Sequence, residues 1–523
     1  MRRRSLVFIV FGFVVLLLLV GLHFARPSIA KFVRQRTQNA LEERYKSRVE
    51  FSDFLVSFSP RFCVTIKDLT LRHHGRNDVP PLIQIAELNM IPRLGSLLGR
   101  NVRIASVQLL GLQITFPPKE PGSPPFLRDS DTDLKSKYPV LLERLEANEA
   151  MLVLLRAQPG KSPLAFPLHH LELQDLSFDG PAKFTATLTN AVPRGEIIAS
   201  GVFGPWSGET PRRTPVRGTY HFERADLGSI KGLQGTLSST GDFQGPLDYL
   251  SVKGSTDTPD FTLRKIANPI ALHTDFSATV DGTNGNTYLH SVQANFLHTT
   301  LSTNGEVVDL NREIRGRTIE LDTTSDNARV EDLLRLAVKT KDPLLKGSVQ
   351  LKAHIHIPEE DVDLSKRLEV TSQFHMTKGQ FTNPSTQEKV DSLSRRGQGH
   401  PKDTDIAHVD SELKGAFHLE KGIIHFMDLH FAAPGARVNL KGTYALSGEL
   451  DFHGHLLLDA KLSETTTGVK SLLLKAIDPF FSGKNVGAGT NLPIKIVGTK
   501  DHPEFGLDRG RKEKSADKSR NSE

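Results

Sequence analysis

Two short stretches place pairs of imidazoles where they could hold a metal ion. In His354-Ile355-His356 and His453-Gly454-His455 the histidines are two residues apart, so on a strand both rings project from one face. Such pairs ligate zinc or copper, but a site needs a third ligand, which the sequence does not identify. They fall on what reads as a polar strand face, where solvated histidines need no special role. The adjacent pairs His73-His74 and His169-His170 would point to opposite faces of an extended chain. Glu331-Asp332 and Glu359-Glu360 stand at helix or loop edges, where capping accounts for them. The single cysteine, Cys63, lies between Phe62 and Val64 on an expected strand and reads as a buried, inert thiol. It excludes an internal disulfide framework and a multi-cysteine metal site. Glycine-rich dinucleotide and phosphate loops, HExxH and GxSxG are all absent. The expectation is a protein without catalytic residues, metal or cofactor: not an enzyme.

Composition narrows the class further. Lys+Arg 66 against Asp+Glu 60 leaves a net charge of +6 over 523 residues, too dilute for a dedicated nucleic-acid binder. There are 29 Phe but 6 Tyr and 1 Trp, so the aromatic groups nearly all lack a polar handle. That suits a purely apolar surface better than a sugar-binding one.

The elements that would carry such a surface begin with an apolar run from Leu6 to Phe24, preceded by Arg2, Arg3 and Arg4. Its 19 residues span about 28 Å as a helix, close to the thickness of a bilayer core. The arginines favour a cytoplasmic N-terminus with the body translocated. A competing reading is a cleaved signal peptide with Ser28-Ile29-Ala30 as its small-residue site, but the apolar run is long for one.

From about Phe51 onward the pattern has period two, punctuated by Gly, Asn, Asp and Pro. Val349, Leu351, Ala353, Ile355 and Ile357 alternate with Gln350, Lys352, His354 and His356. Leu450, Phe452, Gly454, Leu456 and Leu458 stand against Asp451, His453, His455 and Asp459. Further strands are expected at Ile114–Phe116, Ile197–Phe203, Val216–Phe222, Leu413–Leu419 and Leu440–Leu446. One apolar and one wet face mean antiparallel sheet built from hairpins. Gly235–Phe261 and Gly442–Ser463 resemble one another as Gly-bounded hairpins, as a repeating array requires. Helices are expected at Ile29–Lys46, Arg93–Leu98, Pro139–Leu145 and Val330–Val338. Near the C-terminus Val469, Leu472, Leu473, Ala476, Ile477 and Phe480 form one helical stripe, ended by Asp478-Pro479. That stripe either caps the sheet or touches a membrane or partner.

The chain divides into a cytoplasmic stub and anchor (1–28), an N-terminal β module (29–116) and a Pro/Ser/Asp-rich linker (117–137). Central β repeats (138–382), a polar loop (383–407), a C-terminal region (408–508) and a charged tail (509–523), expected to be disordered, complete it. A large one-sided apolar sheet, curled along its length, would make an elongated antiparallel β-groove. Val349, Leu351, Ala353, Ile355, Ile357, Phe452, Leu456 and Leu458 are the candidate lining residues. Such a trough would shield acyl chains, each methylene contributing about 0.8 kcal/mol.

Three stretches carry a family resemblance. They are the anchor, "VTIKDLTLRHHG…PLIQIAELNMIPRLGSLLGRNVRIASVQLLGLQITF" (Val64 to Phe116) and "YALSGELDFHGHLLLDAKLSETTTGVKSLLLKAIDPFF…LPIKIVGT…PEFGLD" (Tyr444 to Asp508). Together they resemble the AsmA-like proteins of Gram-negative envelopes, relatives of TamB and YhdP, over about a third of the chain; the middle is similar only in style. The resemblance implies a repeating β-groove fold and single-pass anchoring in the bacterial inner membrane, with the bulk periplasmic. It implies a role in phospholipid transport or tethering between membranes and in outer-membrane homeostasis. The partners it implies are phospholipids, the inner membrane, and outer-membrane or periplasmic envelope proteins, with no nucleic acid. The alternative is a non-catalytic scaffold or regulator of outer-membrane protein assembly.

Overall fold

The computed structural model describes most of residues 49–508. Residues 1–48, 58–62, 73–79, 96–101, 117–139, 155–163, 206–210, 310–316, 338–341, 404–407, 466–488 and 509–523, with some shorter connections, lie outside it. The expected anchor, the Ile29–Lys46 helix, the Val469–Phe480 stripe and the charged tail all lie there, as does most of Arg93–Leu98. Among the described residues no helix is long and apolar enough to cross a membrane. The chain is mainly β: one large, predominantly antiparallel sheet with few helices. It falls into two compact units. One comprises Met1–Thr262, Ala271–Gln293 and Gly305–Thr318, the other Leu263–Ile270, Ala294–Asn304 and Ile319–Glu523.

The first unit is organised around one cluster that includes Val64, Ile66, Leu69, Leu71, Met90, Ile104, Val107, Leu142 and Leu145. Its burial pattern shows how the chain departs from strict alternation. In the Cys63–Leu71 strand the buried residues are 64 and 66, then 69 and 71. Asp68 between them has φ 51°, a left-handed conformation that resets the parity and keeps both halves on the same face. Glu149, Asp175 and Arg224 do the same within their strands, and Lys378 does so in the second unit. Left-handed backbone costs an ordinary residue about 1–2 kcal/mol, and a glycine in an extended position costs about 0.5–1 kcal/mol. Lys378→Gly is therefore expected to stabilise the protein by about 0.5 kcal/mol, whereas Gln373→Gly, at an ordinary paired position of the same strand, should destabilise it by about 1 kcal/mol. Urea denaturation of the two variants checks this; equal signs would count against the assigned backbone.

Two expectations need correction in this unit. Pro139–Leu145 is not a helix, because Val140–Leu154 is a strand. Its buried Leu142 and Leu145 have helix-like spacing because the pairing lapses between them at Glu143, opposite the left-handed Asp175 (φ 57°), while the register on either side is kept. Nor does 117–137 separate two modules. Val140–Leu154 runs parallel to Val102–Leu110 and to Gln113–Phe116, so the strands flanking that segment share one core. A parallel pair needs a crossover of a dozen or more residues, which 117–139 supplies. The sheet is thus not antiparallel throughout.

In the second unit Thr318–Arg329 pairs antiparallel with Leu345–Ile357, and the ladder continues through Glu369–Phe381, Ser411–Glu420, Ile423–Ala433, Ala436–Ala445, Glu449–Leu458, Thr490–Thr499 and Pro503–Leu507. Each strand bonds the next along the chain. The Val330–Ala337 helix forms as expected. Residues 383–407, expected to be a loop, contain a helix at Pro384–Gly397. Asn383 caps it by accepting the Ser385 N–H at 2.9 Å and the Thr386 N–H at 3.3 Å, and Pro384 pre-sets its first turn. Its buried face is largely polar, with Gln387, Asp391 and Ser394 beside Val390, which is why hydropathy did not betray it. Asp391 accepts from the His408 and Val409 N–H groups at 3.0 Å and from Gln387 Nε2 at 2.8 Å. Burial alone would push its carboxyl up, but these three bonds hold it below the ordinary value.

Candidate functional site

Registers in the second unit set apolar residues in rows across seven strands. One row is Val349, Met376, Leu413, Phe431, Val438, Leu456 and Leu492. The next is Leu351, Phe374, Gly415, Leu429, Leu440, Gly454 and Ile494. A third runs through Ala353, Ser372, Phe417, Phe426, Gly442, Phe452 and Ile496, and a fourth through Ile355, Val370, Leu419, Ile424, Tyr444 and Leu450. All eight expected lining residues lie on this face. They are not equivalent. Val349 is 3% exposed and joins Ala328 and Met376 in a small closed core beneath Leu333 and Val330, which belong to the Val330–Ala337 helix. Ala353, Ile357 and Leu458 are also buried. Leu351, Ile355, Phe452 and Leu456 are only half-buried, as are Phe374, Phe417, Phe426, Ile494 and Ile496.

The phenylalanines touch one another. Ring centroids are 6.2 Å apart for Phe374–Phe417, 5.8 Å for Phe417–Phe426 and 5.6 Å for Phe426–Phe452. Phe426 and Phe452 sit on strands separated by the one carrying Gly442, with which both are in register. Two strands apart, their Cα atoms stand about 9.6 Å from each other, so the rings meet by leaning over a residue without a side chain. The first unit repeats the arrangement: Phe184 and Phe243 come within 6.4 Å, and Gly201 and Gly218 lie between them in register. Sequence alternation missed this partnership, although a glycine paired with phenylalanines was there to be read once the register was known.

The opposite face is wet and rich in histidine–carboxylate pairs. His354 Nδ1 lies 2.9 Å from Asp322 Oδ1 and its Nε2 3.2 Å from Glu320 Oε2; His356 Nδ1 contacts Glu320 as well. His453 sits between Asp508 at 2.8 Å and Asp451 at 3.0 Å, and His455 Nδ1 is 3.0 Å from Asn491 Oδ1. In the first unit His273 stands between Asp257 at 2.7 Å and Asp275 at 3.4 Å. Among the described residues no group of three or more His, Cys, Asp or Glu is arranged to hold a metal ion. Cys63 is half-buried instead of fully enclosed. Glu331 and Asp332 tie their helix to the sheet: Asp332, 1% exposed, accepts the His298 N–H at 2.8 Å and the Thr299 hydroxyl at 3.0 Å, while Glu331 accepts the Gly347 N–H at 3.1 Å.

The bond to Asp322 chiefly raises the His354 pKa above its ordinary 6.5, that to Asp508 raises His453, and that to Asp257 raises His273, each with help from a second carboxylate. A raised folded value means the pairs stabilise the fold fully below the unfolded value and fade as pH rises through the folded one. Melting temperature should therefore drift down as pH rises above about 6.5, and the drift should flatten in a His273/His354/His453→Gln triple variant. The pairs are exposed, so the drift is small. An identical slope in the triple variant would remove these pairs as its cause.

The site is thus a broad apolar sheet surface. No protein-family model matches the chain, and no curated protein matches it.

Proposed function

We propose that this chain is an inner-membrane-anchored envelope protein whose apolar sheet face covers phospholipid acyl chains, for transport or tethering between membranes. The observation that carries the proposal is the seven-strand apolar face of the second unit, half-buried along Leu351, Phe417, Phe426 and Phe452. Water against such a surface is unfavourable, and an extended methylene chain would displace it along its whole length. Anchoring and a periplasmic address rest on the Leu6–Phe24 run with its triple arginine and on the AsmA-like resemblance. A second reading, a non-catalytic scaffold for outer-membrane assembly, is favoured by the contacts among Phe417, Phe426 and Phe452, which already satisfy part of the face. A photo-crosslinking residue at Leu351 of the full chain in cells separates the two. Lipid adducts, with phospholipid retained in native mass spectrometry, are expected. A folded protein that yields protein adducts and no lipid would leave the scaffold reading standing.

A further inference from the structure

The last strand of the second unit, Pro503–Leu507, bonds Thr490–Thr499 on one side, and among the described residues no strand lies on the other. Its hydrogen bonds show which residues face that free edge. Asp508 donates its N–H to Pro493 O at 3.0 Å, and His502 donates to Thr499 O at 3.1 Å. Antiparallel partners alternate between bonded and unbonded pairs, so Gly506 and Glu504 direct their backbone inward. Phe505 and Leu507 therefore turn their N–H and C=O groups outward. The same two side chains are 74% and 47% exposed, and they extend the apolar rows of Ile496 and Ile494. Unpaired backbone and uncovered apolar side chains coincide at the same two positions.

Such an edge is completed by another β-strand. A second copy fits it poorly. Two Pro503–Leu507 strands pairing antiparallel about Gly506 would match Phe505 with Leu507 but set Glu504 opposite Asp508 on the wet face, like charge against like. Pairing about Phe505 would set Leu507 opposite Pro503, which has no N–H to donate. Residues 509–523 fit no better, since Ala516 is their one apolar residue. We propose that this edge receives a β-strand of a partner protein, one with apolar residues opposite Phe505 and Leu507 and a basic residue facing Glu504. The proposal is independent of acyl binding.

The probes are two short synthetic peptides, one alternating lysine with valine, the other glutamate with valine, offered to the full chain in detergent. The lysine peptide should bind, and the glutamate peptide more weakly by about tenfold or more. Leu507→Pro removes an outward N–H only, so it should abolish binding while leaving melting unchanged; Gly506→Pro removes an inward bond and should lower melting. Phe505→Lys keeps the backbone whole and should weaken the lysine peptide by about tenfold. Equal binding of both peptides, no binding of either, or binding that survives both Leu507→Pro and Phe505→Lys would overturn the proposal. So would a dimer in sedimentation that Leu507→Pro dissolves, because that assigns the edge to a second copy.

Discussion

Val349→Asp is expected to unfold the start of the second unit's ladder, whereas Leu351→Asp should leave it folded and stop acyl binding. The two residues share a strand and a face, so alternation alone treats them alike. Val349 is 3% exposed, enclosed by Ala328 and Met376 and covered by residues of the Val330–Ala337 helix. A carboxylate there would be dry and unpaired, a change worth about 4 kcal/mol or more. Leu351 is half-buried, in register with Ser325 and Phe374, and water would still reach a carboxylate at that position. The structural cost there should be about 1 kcal/mol, while an acyl chain crossing the site would have to cover the charge. Thermal melts of both variants, with lipid content read by mass spectrometry, decide the matter. If Leu351→Asp melts as low as Val349→Asp, the face is a closed core and the lipid proposal fails at this strand.

Gly442→Val should be nearly as damaging, for a different reason. A Cβ at Gly442 would lie 2.1 Å from the Asp451 carbonyl oxygen and 2.7 Å from Phe452 Cα, both backbone atoms with little room to retreat. The strand must move, and Phe426 and Phe452 lose the gap across which their rings meet. A cost of about 3 kcal/mol or more is expected, and Gly442→Ala should show most of it because the first carbon makes the collision. Gly506→Ala is the control: its Cβ would meet only the Lys495 side chain, at 3.8 Å, and a change within about 0.5 kcal/mol is expected. Chemical denaturation midpoints measure both. A Gly442→Val protein as stable as the parent would show that the rings do not depend on that glycine.

The strands were legible because alternation is a direct record of a sheet with one dry face. Leu345–Ile357 and Glu449–Leu458 carry it cleanly, and their predicted apolar residues all reach the same face. Alternation failed where the backbone itself breaks period. Leu142 and Leu145 imitate a helix because a rung is missing between them, where Glu143 faces the left-handed Asp175, and only cross-strand pairing reveals it. The Pro384–Gly397 helix was hidden because its inward side chains are amides, hydroxyls and an acid satisfied by distant N–H groups. For the site, one strand told which residues face inward but not which of them a helix covers. That distinction between Val349 and Leu351 depends on a segment about 15 residues upstream.

Because every strand from Glu369 to Leu507 bonds its successor, the energy of this part of the ladder is close to a sum of nearest-neighbour terms. Such a structure need not melt in one step. Loss of the outermost strand exposes a new edge but leaves distant rungs untouched, so unfolding can proceed by peeling, and a single transition temperature would average over several partial states. Assembly runs the same way in reverse. Hairpins such as Ile423–Ala433 with Ala436–Ala445 have two residues between their strands, so each can zip without waiting for remote segments. The parallel contact of Val140–Leu154 with Val102–Leu110 is the opposite case: it requires a long loop to close before any reward arrives. Synthesised from its N-terminus, the chain meets that slow step early, and the later strands of the ladder can add on rung by rung.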